Sequence, residues 1–483
     1  MSTRREDERS LKNAMKAAMG TSHTVLHAPI PWDSMCREDH CGSGEAGADE
    51  TGMDEVGSGN AGACPECSLQ AGLSEKASLI GRVGYMLLEA GSGAWRVRDE
   101  MNRVAEAMNV SVSADVGLLT INYTCFEEGH SVTYCLSMKA AGINTYRLML
   151  MSRFVKHFRE RVGTRTIREF HQMLDKIEVA KPFYKAWNQG VAAGIACFAF
   201  TFLLGGGFVE MLCALIGAGV GNFVRVKLIQ HKFALVMNVA IGVAAACFSY
   251  VGAVRLLELF GLASAHHEAG YVCSMLVIIP GFLLITGGID YAKQDFRSGA
   301  ERIMSGVLII LVATLTGAAS SIILNFRPSE MVTPDMDTNT RLVLRLIMSF
   351  IGVYGFSLMY NSPRKMAATA GLIGMVSNTL RLEMMSRWGV VYFLAAFTGA
   401  FVAGILASLV KIKTGYPRLS LTVPSIVIMV PGMYMYRAMY YFGMSNFTTG
   451  NEWLVRAILI VMSLPTGLVL SRMVMEYKFR HCT

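Results

Sequence analysis

The sequence predicts a polytopic α-helical membrane protein: about ten transmembrane helices in an inverted 5+5 repeat, preceded by a small N-terminal cytoplasmic α/β domain and a disordered N-terminal tail. Three observations predict it. Of 483 residues, 53% are hydrophobic and only 17% charged, where a soluble domain carries about 25% charge. The mean hydropathy is +0.40, and the apolar residues are gathered beyond Lys185 in runs of roughly 17 to 25, the length that crosses a bilayer. Two of those runs carry the same interruption, Ile278-Ile279-Pro280-Gly281-Phe282 and Met429-Val430-Pro431-Gly432-Met433. Proline removes a donor and clashes with the preceding turn, glycine loosens the backbone, and lipid satisfies none of the freed groups. Two such breaks at corresponding places in two halves mark a transporter's binding site.

The formal charge of +8 fits basic cytoplasmic loops better than nucleic acid. Forty-seven glycines and 32 methionines suit close helix packing. Cys197, Cys213, Cys247 and Cys273 sit singly in apolar runs and read as small core residues. No apolar stretch at the start reads as a cleavable signal, so the first membrane helix is expected to direct insertion.

Residues 1–73 are rich in Gly, Ser, Ala, Asp and Glu and are expected to be disordered. They contain Cys36, His40, Cys41, Cys64 and Cys67; two pairs can make a zinc site, but the loose first spacing and the lack of apolar neighbours favour solvated thiols, so no metal is expected. Residues 74–186 read as the cytoplasmic α/β domain. Leu79, Ile80, Val83, Met86, Leu87 and Ala90 recur at helical spacing and stop at Gly91. Ser92 is placed to cap a second helix with the stripe Val97, Met101, Val104 and Met108. Alternation from Val116 through Leu118 to Tyr123, then Val132, Tyr134, Leu136 and Met138, reads as a hairpin turning at Glu127-Glu128-Gly129-His130. Two amphipathic helices with basic faces follow, through Phe154 and Phe158 and then Phe170 and Leu174. Cys125, His130 and Cys135 lie close together, yet no GxSxG, HExxH or phosphate loop occurs, so no catalytic residue and no cofactor are expected.

The membrane part divides into spans at 188–205, 207–224, 233–254, 271–289, 303–324, 342–360, 366–380, 388–410, 419–441 and 453–473. With the soluble domain inside, the inner loops hold fourteen basic residues, Arg225, Arg302, Lys411, Arg418 and Arg472 among them, and the outer loops five: Arg255, Arg327, Arg341, Arg381 and Arg387. The positive-inside rule then puts both termini in the cytoplasm and the sequon Asn446-Phe447-Thr448 outside. Pro280-Gly281 aligns with Pro431-Gly432, Thr316-Gly317 with Thr466-Gly467, and Leu215-Ile216-Gly217 with Asn222 resembles Leu372-Ile373-Gly374 with Asn378. Halves spanning 187–325 and 341–475 with five spans each would enter the membrane in opposite senses.

These residues carry a resemblance. Glu89-Ala90-Gly91-Ser92, Pro280-Gly281 through Asp290, Asp295-Phe296-Arg297-Ser298-Gly299 with Glu301-Arg302, and Val423-Pro424 leading into Val430-Pro431-Gly432 resemble the threonine/serine exporter family from about Ser74 to Met475. The resemblance implies a cytoplasmic domain, ten spans in two groups of five, and export of threonine and serine driven by the proton gradient or membrane potential. Split relatives imply small dicarboxylates such as succinate as the alternative substrate. The expected partners are a small-molecule substrate and membrane lipid, with no nucleic acid, and a homo-oligomer is left open.

A small zwitterion needs donors for its carboxylate and acceptors for its ammonium. A half-helix starting after a Pro-Gly break aims N–H groups and a positive dipole end at an anion, which selects Pro280, Gly281, Pro431 and Gly432 as shaping a site; the alternative is a plain kink. Asn222 and Asn378 are in-span amides that bind a ligand or tie helices together. Asp290, Asp295 and Glu210 are the proton-coupling candidates, against interfacial charges, with Asp290 pairing to Arg297 or Lys293. Arg437 either attracts a carboxylate or snorkels. A membrane-anchored enzyme or signalling protein acting through residues 74–180 is the competing class, and an ATP-driven pump is disfavoured because the chain has no P-loop.

Overall fold

The computed structural model describes residues 68–138, 142–261, 269–326 and 335–480; the tail cysteines and His40 lie outside them. The N-terminal part is built on a three-stranded antiparallel sheet in the order β1-β2-β3, with β1 Ser111–Val116, β2 Thr120–Glu127 and β3 His130–Ser137. Helices α1 (Leu73–Glu89) and α2 (Ala94–Ala107) precede it, and α3 (Thr145–Arg161) and α4 (Ile167–Val179) follow. The hairpin turns through Glu128 and Gly129, both at positive φ, a two-residue connection whose twist matches the strands. Tyr123 stacks on its cross-strand partner Tyr134 at 5.7 Å and donates its hydroxyl to the Ala77 carbonyl of α1 at 2.9 Å. Thr166 and Glu169 form a capping box at α4.

Two local expectations are corrected. The alternation from Val116 to Tyr123 is not one strand: Gly117 donates back to the Thr120 carbonyl, making a turn between β1 and β2. Ser92 does not cap α2; the N-cap is Gly93, which has no side chain to offer.

The membrane part contains α5 (Ala186–Leu203), α6 (Phe208–Gln230), α7 (Leu235–Leu259), α8 (Ala269–Leu276), α9 (Gly281–Ala292) and α10 (Phe296–Ile323). The second half contains α11 (Thr338–Met359), α12 (Arg364–Ser386), α13 (Tyr392–Thr414), α14 (Arg418–Val427), α15 (Gly432–Gly443) and α16 (Phe447–Met475). Seven helices among the described residues are long and apolar enough to cross a membrane, and the bent pairs α8–α9 and α14–α15 raise the number to nine. The helix left out is α12, the expected seventh span. It is 23 residues long, about 35 Å at 1.5 Å per residue, but carries too many polar groups. Large apolar side chains such as Leu315, Ile322, Ile412 and Met462 face outward, as lipid-facing residues do.

The helices overrun their apolar runs. Arg225, Arg302, Arg381 and Arg472, expected in loops, are all helical, because hydropathy marks the stretch fit for lipid and not the end of the hydrogen-bond ladder. Corresponding elements match in backbone detail. α9 and α15 each have 12 residues, and the left-handed residues Gln294 (φ 63°) and Ser445 (φ 58°) follow them, 151 positions apart. The first helices of the halves meet at α5 and α11, where a Cβ on Gly355 would lie 2.8 Å from the Ala192 carbonyl oxygen.

Candidate functional site

The two breaks are the same structure built twice. Pro280 has φ −81° and ψ 56°, Pro431 φ −80° and ψ 50°. Gly281 N–H donates to the Ile279 carbonyl and Gly432 N–H to the Val430 carbonyl, both at 2.8 Å. Each is an inverse γ-turn on a proline, whose ring already fixes φ near −65°. The half-helices bend by 59° at the first break and 48° at the second.

The breaks also face each other. A Cβ on Gly281 would lie 3.1 Å from Val430 Cγ2 and 3.5 Å from Val427 Cγ1; one on Gly432 would lie 2.7 Å from Leu276 Cδ2 and 3.0 Å from Ile279 Cδ1. The contact is reciprocal, each glycine meeting the residues that precede the other break. Pro280, Gly281, Pro431 and Gly432 are thus one constellation, closed by apolar side chains.

The two amides hold helices together in each half: Asn222 donates Nδ2 to the Gln189 carbonyl at 3.0 Å, and Asn378 donates to Ser349 Oγ at 2.9 Å. Three residues beyond each amide stands an arginine, Arg225 and Arg381. Cβ atoms added to Gly242 and Gly399 would touch Arg225 Cβ at 3.1 Å and Arg381 Cβ at 3.3 Å, with Ile278 and Met429 the matching neighbours. Arg381 Nη1 donates to the Met429 carbonyl at 3.1 Å, a cation at the negative end of a half-helix. The repeated Asn-x-x-Arg stands in the sequence, but arginines at the ends of apolar runs read as loop charge.

The acids separate. Asp290 is 1% exposed and pairs with Arg302, Nε to Oδ2 at 3.1 Å, not with Arg297 or Lys293. Its Oδ2 also accepts from Ser298 Oγ at 3.1 Å and from Ala94 N–H at 3.3 Å, so a carboxylate of the membrane part supplies the cap that Gly93 lacks. Arg302 Nη2 donates to the Ser92 carbonyl at 2.8 Å. Asp295 pairs with Arg98 of α2 at 2.5 Å, and burial raises its carboxyl above the usual range against the pull of that arginine. Glu210 lies in the first turn of α6 beside Gly207, at the end of that helix away from the N-terminal part. Arg437 stacks on Trp453 with Cζ 4.7 Å from the ring centre. Cys125 is fully buried, and burial pushes its thiol up to about 11, while Cys135 is exposed; they form no nucleophile–base pair.

Between the N-terminal part and the membrane helices lies a cavity of about 620 Å³. Its walls come from α2, α3, α9, the Gly415–Pro417 turn, α14 and α16. Its mouth is more basic than acidic, with Arg96, Arg103, Arg153, Lys156 and Arg159 against Asp99, Glu100 and Glu106, and deeper in it reaches Thr286, Asp290, Arg418 and Thr422. At its edge Glu476 binds Lys411 at 2.8 Å and Arg472 at 2.7 Å; burial would raise this carboxyl, but the two cations hold it down at about 2. Arg302 and Arg418 are buried charges that hydropathy hides, since a charge beside an apolar run scores as the run's end.

A family model described as "Putative threonine/serine exporter" matches residues 78–324, and a second, described as "Threonine/Serine exporter, ThrE", matches residues 345–474. The chain is 24% identical over 416 residues to a "Probable threonine/serine exporter" of Mycobacterium tuberculosis, covering 80% of this chain and 74% of that one. It is 24% identical to a "Probable succinate transporter subunit YjjP" of Escherichia coli and 23% identical to the one of Klebsiella aerogenes. Those matches cover 50% and 47% of this chain and 90% and 86% of theirs. Comparison with solved structures returned no match. The family is one of exporters and not of enzymes. With two family models covering most of its length and several helices fit to cross a membrane, the chain is a multi-pass integral membrane protein that belongs to the threonine/serine exporter family.

Proposed function

We propose that the protein is a secondary active transporter that exports small hydroxy amino acids, threonine and serine, by alternating access, driven by the proton gradient or membrane potential. The observation that carries this reading is the pair of like breaks packed reciprocally on each other. Discontinuous helices meeting at the interface of two repeats are where transporters of this design bind substrate, and their apolar contact supplies a closed state from which either side can open. In this reading α12 also crosses, as the seventh of ten spans, residues 187–325 and 341–475 are inverted repeats, and 74–186 is a cytoplasmic domain. The basic vestibule then faces the cytoplasm, where an exporter loads. Asp290, on the vestibule wall, is the acid placed to couple a proton, ahead of Asp295 and Glu210.

A second reading, export of succinate, is favoured by the half-length relatives that bear that name. Reconstituted counterflow separates the two: liposomes loaded with threonine, serine or succinate are offered the labelled compound with and without a pH gradient. Accumulation of labelled threonine into threonine- or serine-loaded vesicles is the expected result, and accumulation only against succinate would move the protein to the second reading.

A further inference from the structure

We infer that the vestibule holds a zwitterion site in which Arg418 Nη1 receives the carboxylate of an α-amino acid and Asp290 Oδ1 receives its ammonium group. This deepens the exporter reading above and rests on it.

Arg418 opens α14 directly after Pro417, and its side chain turns inward, leaving the residue only 8% exposed. Its Nη2 is fixed by Ser471 Oγ at 2.7 Å and the carbonyls of Gly404 at 3.1 Å and Leu468 at 3.4 Å. Its Nη1 is buried and has no acceptor among the described residues, and no ion pair joins it to a carboxylate: Glu476 is taken by Lys411 and Arg472. A buried cation is stable when paired and costly when not. This one is held rigidly by three neutral acceptors and lines a cavity with room for a small molecule, which is the arrangement of a fork waiting for a carboxylate.

Asp290 has the complementary deficit on the facing half of the molecule. Its Oδ2 is fully engaged, whereas Oδ1 is buried without a donor. A Cβ at position 93 would stand 2.7 Å from that oxygen, so only glycine fits against it. The residues that carry the orphan donor and the orphan acceptor, Arg418 of α14 and Asp290 of α9, line the same cavity. Thr286 and Thr422 line the same cavity, their hydroxyls donating to the carbonyls of Phe282 at 2.9 Å and Arg418 at 3.1 Å. That leaves their lone pairs to accept from a substrate hydroxyl. A dicarboxylate satisfies Arg418 and sets its second charge against Asp290; an amine satisfies Asp290 and repels Arg418. The zwitterion alone answers both, and the basic mouth draws its carboxylate inward.

The test is counterflow of labelled L-threonine by the full-length protein in liposomes, competed with L-serine, 3-hydroxybutyrate (no ammonium) and 1-amino-2-propanol (no carboxylate). L-serine is expected to compete, and each truncated analogue to compete about 10- to 100-fold more weakly, the value of one charge-assisted bond. Arg418→Gln is expected to raise the threonine KM by a similar factor and to abolish the preference for threonine over 1-amino-2-propanol, with Arg418→Lys restoring part of it. Asp290→Asn should abolish the preference over 3-hydroxybutyrate. Equal competition by all three compounds, or variants whose preferences match the parent, would overturn the site while leaving the exporter reading intact. Loss of threonine counterflow in the parent protein, with succinate counterflow present, would remove that reading and this one together. If a variant fails to insert, the competition profile of the parent protein decides alone.

Discussion

Asp290 and Arg302 set what a single residue can do in this molecule. Both are about 99% buried, and the pair holds the start of α2 through Ala94 N–H and the Ser92 carbonyl. Removing one member of such a pair strands a charge and costs about 3–5 kcal/mol, whereas removing both together costs far less. Arg302→Met is therefore expected to lower the unfolding temperature of the detergent-solubilised protein sharply, and Arg302→Met with Asp290→Leu to recover most of the loss in a double-mutant cycle. Additive losses would show the two residues to be independent. The sequence shows Glu301-Arg302 as a familiar pair of residues but cannot show its partner. The carboxylate that caps α2 lies 196 positions away from Ala94, and capping rules read only the residues next to a helix.

At the scale of elements, the breaks were legible because proline and glycine change backbone geometry wherever they occur, independent of context. The extent of strand β1 was not: its polar–apolar alternation, Val112, Ala114 and Val116, is short with only Val116 fully buried, and nothing in it marks the turn at Gly117. The packing of elements was not legible either. Gly288 of α9 illustrates it, since a Cβ there would lie 2.4 Å from Cγ and 2.8 Å from Cβ of Pro465 in α16. A proline ring inside a helix cannot rotate away, whereas the Val430 methyl that faces Gly281 at 3.1 Å can shift. Overpacking a tight contact costs about 1–3 kcal/mol, so Gly288→Ala is expected to destabilise the protein by that amount and Gly281→Ala by clearly less. Thermal unfolding of the two variants side by side checks the order, and the reverse order would mean that the α9–α16 contact yields more easily than the contact between the breaks.

For the molecule as a whole, everything rests on whether α12 crosses the bilayer. Its composition argues against a lone lipid-exposed helix, but its polar groups are not offered to lipid. Asn378 bonds Ser349, Arg381 bonds the Met429 carbonyl, and Glu383 pairs with Arg345 at 2.7 Å and Arg387 at 2.6 Å. Polar side chains satisfied inside a bundle are compatible with membrane depth, and the helix is long enough for roughly 30 Å of hydrocarbon. The consequence can be counted. Gln294 and Ser445 occupy the same place in the two halves, both exposed and both left-handed. Between them the chain runs through α10, α11, α12, α13 and the bent pair α14–α15. Five crossings put these residues on opposite faces of the membrane; without α12 the crossings are four and both lie on the same face. Gln294→Cys and Ser445→Cys, each in a background freed of the exposed Cys135, Cys482 and the cysteines before residue 68, are expected to react with a membrane-impermeant maleimide from opposite sides of oriented vesicles, Gln294→Cys from the side that carries the N-terminal domain. Labelling of both from one side would make the halves parallel in the membrane, and the two breaks could then no longer serve as the opposed entrances that alternating access requires.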